Sequence, residues 1–143
     1  KPAPAATGLD VMQSVEVGGI EMGFLTDGTL FLTGRSLAKI CGVSNSTIVE
    51  WTNDNPGKGN RTRDRKLAEI LTRRGFEGDR LFIRARYKRR WITAFPDVVC
   101  MAFLEYYACH AEGRCTPEAK TNYRVLSRRS LRELLDTALQ QRS

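Results

Sequence analysis

Ser36-Leu37-Ala38-Lys39-Ile40-Cys41-Gly42-Val43-Ser44-Asn45-Ser46-Thr47-Ile48-Val49-Glu50-Trp51 is the stretch on which the reading of this chain turns. Ala38, then Gly42, then the β-branched Ile48 have the spacing of a helix, a tight turn and a second helix. A small residue at 38 lets the second helix approach the first. Gly42 tolerates the positive φ that the turn requires, and Ile48 closes the wedge between the helices. Leu37, Ile40, Val43 and Ile48 are expected on the inner faces. Ser44, Asn45, Ser46, Thr47 and Glu50 are expected at the exposed start of the second helix, the part that a helix-turn-helix presents to base edges. The same spacing also suits a helical hairpin packed only for stability, so the location of charge must separate the two.

The chain has 143 residues and a formal net charge of +7. Between Lys58 and Arg90 lie thirteen Lys or Arg and four acids, an excess of nine positive charges, whereas the rest of the chain is slightly acidic. A merely soluble surface intersperses the two signs. Segregated positive charge next to a groove-reading motif is the footprint of a phosphate-binding face. Arg35, Lys58, Arg61, Arg63 and Arg65 are the expected phosphate contacts. Arg84, Arg86, Lys88, Arg89 and Arg90 are expected around the tip of a hairpin, where they would act as a wing.

Length and an apolar content of 41% suit one domain with a real core. No run approaches the roughly 18 apolar residues of a membrane span. Residues 1–12 read as a linker or disordered tail with no signal-peptide core, leaving room for further natural sequence before it. Residues 13–143 read as a single DNA-binding domain. The four cysteines, at 41, 100, 109 and 115, form no paired CxxC. Cys109-His110 with Cys115 lacks a fourth ligand at usable spacing, so no metal is expected. Scattered thiols without a framework point to a reducing, cytoplasmic compartment.

Val15 to Leu25 reads as extended, Asp27-Gly28 as a hairpin turn and Leu30-Phe31-Leu32 as the returning strand. Thr33 or Ser36 can cap the next helix. A helix is expected from about Thr62 to Arg74 with Leu67, Ile70 and Leu71 buried, ended by Gly75. Leu81 to Arg86 and Arg89 to Phe95 read as two strands whose apolar ends anchor them to the core. Pro96-Asp97 opens an all-apolar, central helix. Tyr106 and Tyr107 are expected in core packing. Thr116-Pro117 opens a last helix running to about Gln140, either a core lid or a dimerisation element. The fold class expected is α+β: a helix-turn-helix core with small β-hairpins, winged-helix-like, and two C-terminal helices.

The turn at Asp27-Gly28 followed by Phe31-Leu32-Thr33-Gly34-Arg35-Ser36-Leu37-Ala38-Lys39-Ile40-Cys41-Gly42-Val43-Ser44-Asn45-Ser46 resembles the start of phage antirepressor N-terminal domains of the BRO-N/KilA-N type. In those a short hairpin precedes a helix that ends in a Leu-Gly-like turn and Ser-Asn-like residues. The resemblance covers about the first half of the chain. Thr33-Gly34-Arg35 stands where many members have a lysine-aspartate pair, and the basic segment after Trp51 is an addition. The resemblance implies DNA binding in viruses, phages and mobile elements, sometimes coupled to a separate effector domain, and no cofactor.

The function expected is therefore double-stranded DNA binding by a regulator or mobile-element protein, with a homodimer if the target is palindromic. The competing reading is an antirepressor-like adaptor whose basic face docks on an acidic protein. Catalysis has little support. His110 is the lone histidine, no second carboxylate joins Asp64 at metal-binding spacing, and Gly57-Lys58-Gly59 is not a P-loop.

Overall fold

A computed structural model describes residues 9–52, 62–78 and 80–142. Its strands are β1 (Leu9–Val17), β2 (Ile20–Leu25), β3 (Leu30–Thr33), β4 (Ile83–Tyr87) and β5 (Arg90–Pro96). Its helices are α1 (Gly34–Cys41), α2 (Asn45–Thr52), α3 (Thr62–Arg73), α4 (Asp97–Glu105), α5 (Pro117–Arg128) and α6 (Leu131–Arg142), with a π-helical turn at Tyr106–His110 after α4.

The five strands close into a barrel in the order β1-β2-β3-β5-β4. Three hairpin-like neighbours pair antiparallel, and so does β3 with β5, where Leu32 faces Phe95. Closure comes from a short parallel contact, Leu9 with Ala85 and Asp10 with Arg86. Leu25, Phe31, Ala85 and Ala94 fill the inside, with Leu9, Val11, Ile83 and Ile92 packed around them. Small residues at 85 and 94 suit the narrow bore of so few strands.

This architecture overturns the winged-helix expectation. The hairpin of β4 and β5 is not a wing projecting from a helical core. It is two staves of a closed mixed barrel, tied to β3 on one side and β1 on the other. β1 also begins at Leu9, within the stretch expected as a linker. The long extended segment is two strands, because Gly18 and Gly19 both adopt positive φ, 59° and 84°, and turn the chain between them.

The expected helix-turn-helix core is likewise not the organising unit: α1 and α2 form a short helical pair about Gly42 within a larger helical layer. The Thr33 hydroxyl accepts from the Ser36 backbone N–H and caps α1. The Ser36 hydroxyl in turn accepts from the Glu21 N–H at 2.7 Å, fastening α1 to β2. Gly42 sits at φ 70°, and the Val43 N–H returns to the Ala38 carbonyl at 3.0 Å, a Schellman ending. A side chain at 42 would also strike Thr116 and Glu118. The start of α5 covers this turn: the Thr116 hydroxyl donates to the Cys41 carbonyl at 2.5 Å, and Asn122 Nδ2 to that of Ile40 at 2.9 Å. These bonds satisfy carbonyls that a helix end leaves without partners.

α4 runs through the centre, with Val99, Cys100, Ala102, Phe103, Leu104 and Glu105 all buried. Pro96 precedes it and Asp97 occupies its positive end, as the sequence indicates. The last helix, expected unbroken from Pro117 to about Gln140, is two helices. The break falls at Arg129, which has an extended backbone, and Ser130, which caps the next turn by accepting from the Glu133 N–H at 3.2 Å. α6 lies on β1, with Leu131 and Leu135 buried within the chain. Among the described residues no helix is long and apolar enough to cross a membrane.

Candidate nucleic-acid interface

Strand alternation builds this surface. Ala85, Ile92 and Ala94 point into the barrel, so their neighbours Arg84, Arg86, Trp91 and Thr93 point outward. The register sets Arg86 opposite Trp91 and Arg84 opposite Thr93. The guanidinium carbons of Arg84 and Arg86 lie 5.8 and 5.7 Å from the Trp91 ring centroid. Both distances fall within the range of cation–π attraction. Trp91 is nevertheless 47% exposed, which is unusual for so large an apolar side chain.

The turn that joins these strands is Lys88-Arg89, with φ of 49° and 70°. They are the only described non-glycine residues at positive φ. A two-residue turn of this kind favours Asn-Gly, because side chains in the left-handed region cost roughly 1–2 kcal/mol each. The chain instead places two cations there, with Lys88 Nζ 5.2 Å from the Tyr87 ring. Backbone strain held in place by its surroundings is a recurrent mark of functional segments.

The exposed side of α2 faces this hairpin across a groove of about 560 Å³. Arg35 from α1, Asn45, Val49 and Thr52 from α2, and Arg90, Trp91 and Thr93 from β5 line it, with one carboxylate, Glu21 from β2, facing the two arginines. A larger cleft of about 770 Å³ beside the turn of β1 and β2 is lined by Glu16 and the same Glu21 with no Lys or Arg, the wrong sign for phosphate.

The residues expected to touch bases divide. Asn45, Ser46 and Glu50 are exposed. The Ser44 hydroxyl is engaged as the cap of α2, 2.9 Å from both the Ser46 and Thr47 hydroxyls, and it accepts from the Thr47 N–H at 3.2 Å. Ser44 and Thr47 are thus structural in the first instance. Glu50 Oε1 lies 3.9 Å from Arg63.

The expected phosphate contacts divide too. Lys58 and Arg61 lie outside the described residues. Arg63 faces inward, not toward solvent. Its guanidinium carbon is 4.1 Å from the Trp51 ring centroid and its Nε 3.8 Å from the buried Asp64. Its assignment to phosphate is corrected to packing. Arg65 is exposed on α3, which packs chiefly against α4 and the π turn, away from the hairpin. Arg35, Arg84, Arg86, Lys88, Arg89 and Arg90 are exposed, and no ion pair engages them among the described residues.

Comparison with family models, curated proteins and solved structures finds no match. The surface must therefore be read from its own chemistry.

Two features escaped the sequence reading. Trp91 has no role assigned from the sequence, which anchors the hairpin only by the apolar ends of its strands, yet it faces solvent beside Arg84 and Arg86. The alternation from Ile92 and Ala94 was a signal that could have placed it outside. The second is a carboxylate clamp. Glu105, buried at the end of α4, receives Arg73, Arg74 (2.8 Å) and His110 (3.1 Å). Burial alone would raise its pKa. The hydrogen bonds from Arg73, Arg74 and His110 outweigh that and hold it down to about 2. Arg74 also donates to the Tyr123 hydroxyl at 3.2 Å, joining α3, α4 and α5. Burial pushes the thiols of Cys41 and Cys100 up, so neither is a ready nucleophile or ligand. Among the described residues no group of three or more His, Cys, Asp or Glu gathers to hold a metal.

Proposed function

We propose that the protein binds DNA with the outer face of β4 and β5, in the manner expected of a regulator or mobile-element protein. The observation that carries this reading is the unequal use of one run of arginines. Arg63, Arg73 and Arg74 are tied to Trp51, Glu105 and Tyr123 inside the helical layer. Arg84, Arg86, Lys88, Arg89 and Arg90 stand together on a single hairpin without a carboxylate partner among the described residues. Five like charges held at close quarters are costly for an isolated surface, and phosphates relieve that cost by releasing their counterions. Asn45, across the groove, supplies an amide able to select base edges, with the exposed Ser46 beside it on α2. The resemblance to phage antirepressor domains implies the same class of partner. A reducing, cytoplasmic setting fits the four free cysteines.

The test is fluorescence anisotropy of labelled DNA across a salt series. The logarithm of affinity is expected to fall linearly with that of salt, with a slope of roughly −3 to −5 for single or double strands. A flat salt response, or no binding at low salt, overturns the reading and leaves an acidic protein as the occupant of the face.

A further inference from the structure

We infer that Trp91 is a stacking platform for an unpaired base, so that the preferred form of DNA on this face is single-stranded. The inference rests on the DNA reading above and adds the class of substrate. A bare phosphate-binding surface needs cations and nothing else. This one places a large, half-exposed indole in the middle of them, opposite Arg86 and diagonal to Arg84.

Burying Trp91 is what its chemistry favours, and the barrel has no need of it outside. Its interior is filled by Leu25, Phe31, Ala85 and Ala94. An exposed aromatic beside two guanidinium groups combines the two parts of a single-strand site, a π face for the base and cations for the backbone. A base inside a duplex has both faces covered by its neighbours, so only an unpaired or terminal base offers a face to the ring.

The surroundings agree. The hairpin tip adds Lys88 and Arg89 in line with the strands, extending the cationic track beyond the ring. On the other side the ring borders the groove with Arg35, Asn45 and Thr52, where the Glu21 carboxylate adds an acceptor that a base edge, but not a phosphate, can use. Donors and acceptors therefore lie beside the stacking position, within reach of a base edge. The groove's volume is that of a site for one small organic group rather than for a duplex. α2, whose start was expected to enter a major groove, instead forms one wall of this groove.

The molecule carries its own reporter. Trp51 is 1% exposed and held by Tyr107, whereas Trp91 is open, so a change in indole emission on binding belongs to Trp91. The experiment titrates the full chain with oligothymidine of about a dozen nucleotides, within the range of single-strand site sizes. An abasic strand of equal length and a duplex of equal length serve as comparisons at the same salt. The expected result is quenching by oligothymidine only, and affinity for it above that for either comparison by roughly 5- to 150-fold. Trp91→Ala is expected to remove that preference and the quenching while leaving affinity for the abasic strand unchanged. Trp91→Phe is expected to keep most of the preference. Equal affinity for all three strands, with no quenching, overturns the stacking inference and leaves phosphate binding intact. Failure of every strand to bind at low salt overturns the DNA reading itself and the inference with it. Should Trp91→Ala not fold, the wild-type contrast between oligothymidine and the abasic strand decides alone.

Discussion

The two arginine-rich regions of this protein lie within one stretch of sequence and do opposite things. On the helical side, Arg63 stacks on Trp51 and Arg73 and Arg74 converge on Glu105. Their charge is consumed in holding α3, α4 and α5 together. On the barrel side, Arg84 and Arg86 project from a strand whose other face is packed with alanine and isoleucine, and Arg90 lies exposed at the end of the next. There no carboxylate engages the charge among the described residues. The difference teaches that a count of cations in a sequence window overstates a binding face. What matters is whether a buried carboxylate or aromatic ring lies within reach of each one once the chain is folded.

The contrast can be broken from the helical side first. Trp51 is buried against Phe103 and Tyr106 and donates to the Tyr107 hydroxyl at 3.0 Å. Trp51→Ala is expected to cost about 3–5 kcal/mol in urea unfolding, from the cavity and the lost contacts. Glu105→Gln comes next. Its loss is expected to be roughly 2–3 kcal/mol at neutral pH, below the full figure for a sealed ion pair because Arg73 remains largely in solvent. The sign of the pH effect follows from the depressed carboxyl. Glu105 contributes its full stability above its ordinary value of 4.5, and that contribution is lost as pH falls toward about 2. Unfolding measured at neutral pH and near pH 3 should show this decline in the wild type and a smaller one in Glu105→Gln.

The barrel side should answer in the opposite sense. Replacing the turn by Lys88→Asn with Arg89→Gly is expected to stabilise the protein by about 1–2 kcal/mol, because the strained left-handed positions are relieved. The same change should weaken DNA binding, and a variant that binds as well as the wild type would show the strained cations to be idle. Smallest in stability is the pair Arg84→Ala and Arg86→Ala, expected to shift unfolding by no more than about 0.5 kcal/mol. It should lower affinity for every DNA sequence alike and reduce the salt slope by about 1.4–1.8. A large stability loss from that pair would mean that these arginines, like Arg73 and Arg74, belong to the fold.

Much of the local structure is legible in the chain. Thr33 and Thr116 cap their helices, Gly42 turns between α1 and α2, and Leu67, Ile70 and Leu71 form the inner stripe of α3. Each depends on residues within a turn or two of one another. The hairpin is equally local, although its turn falls at Lys88-Arg89, so that Arg89 belongs to the turn and not to the strand expected from Arg89 to Phe95. Trp91 is the instructive miss. Its apolar bulk argues for the core, and only the inward alternation of Ile92 and Ala94 argues against it. The break at Arg129-Ser130 is also faint, because neither residue forbids a helix outright.

The sequence by itself determined the central helices with their caps, the turns at Gly28 and Gly42, and the fact that positive charge concentrates between Lys58 and Arg90. It did not determine the start of β1, its turn into β2 or the break between α5 and α6. Only the tertiary structure decided that the strands close into a barrel. The pairings of β3 with β5 and of β1 with β4 join residues more than sixty positions apart, and no local pattern encodes them. Tertiary structure also decided which cations are spent inside and which remain outside. Periodicity can place a residue on one face of its own helix or strand. What covers that face is settled by distant segments, here Glu105 over Arg73 and Arg74, and nothing of opposite charge over Arg84 and Arg86 among the described residues.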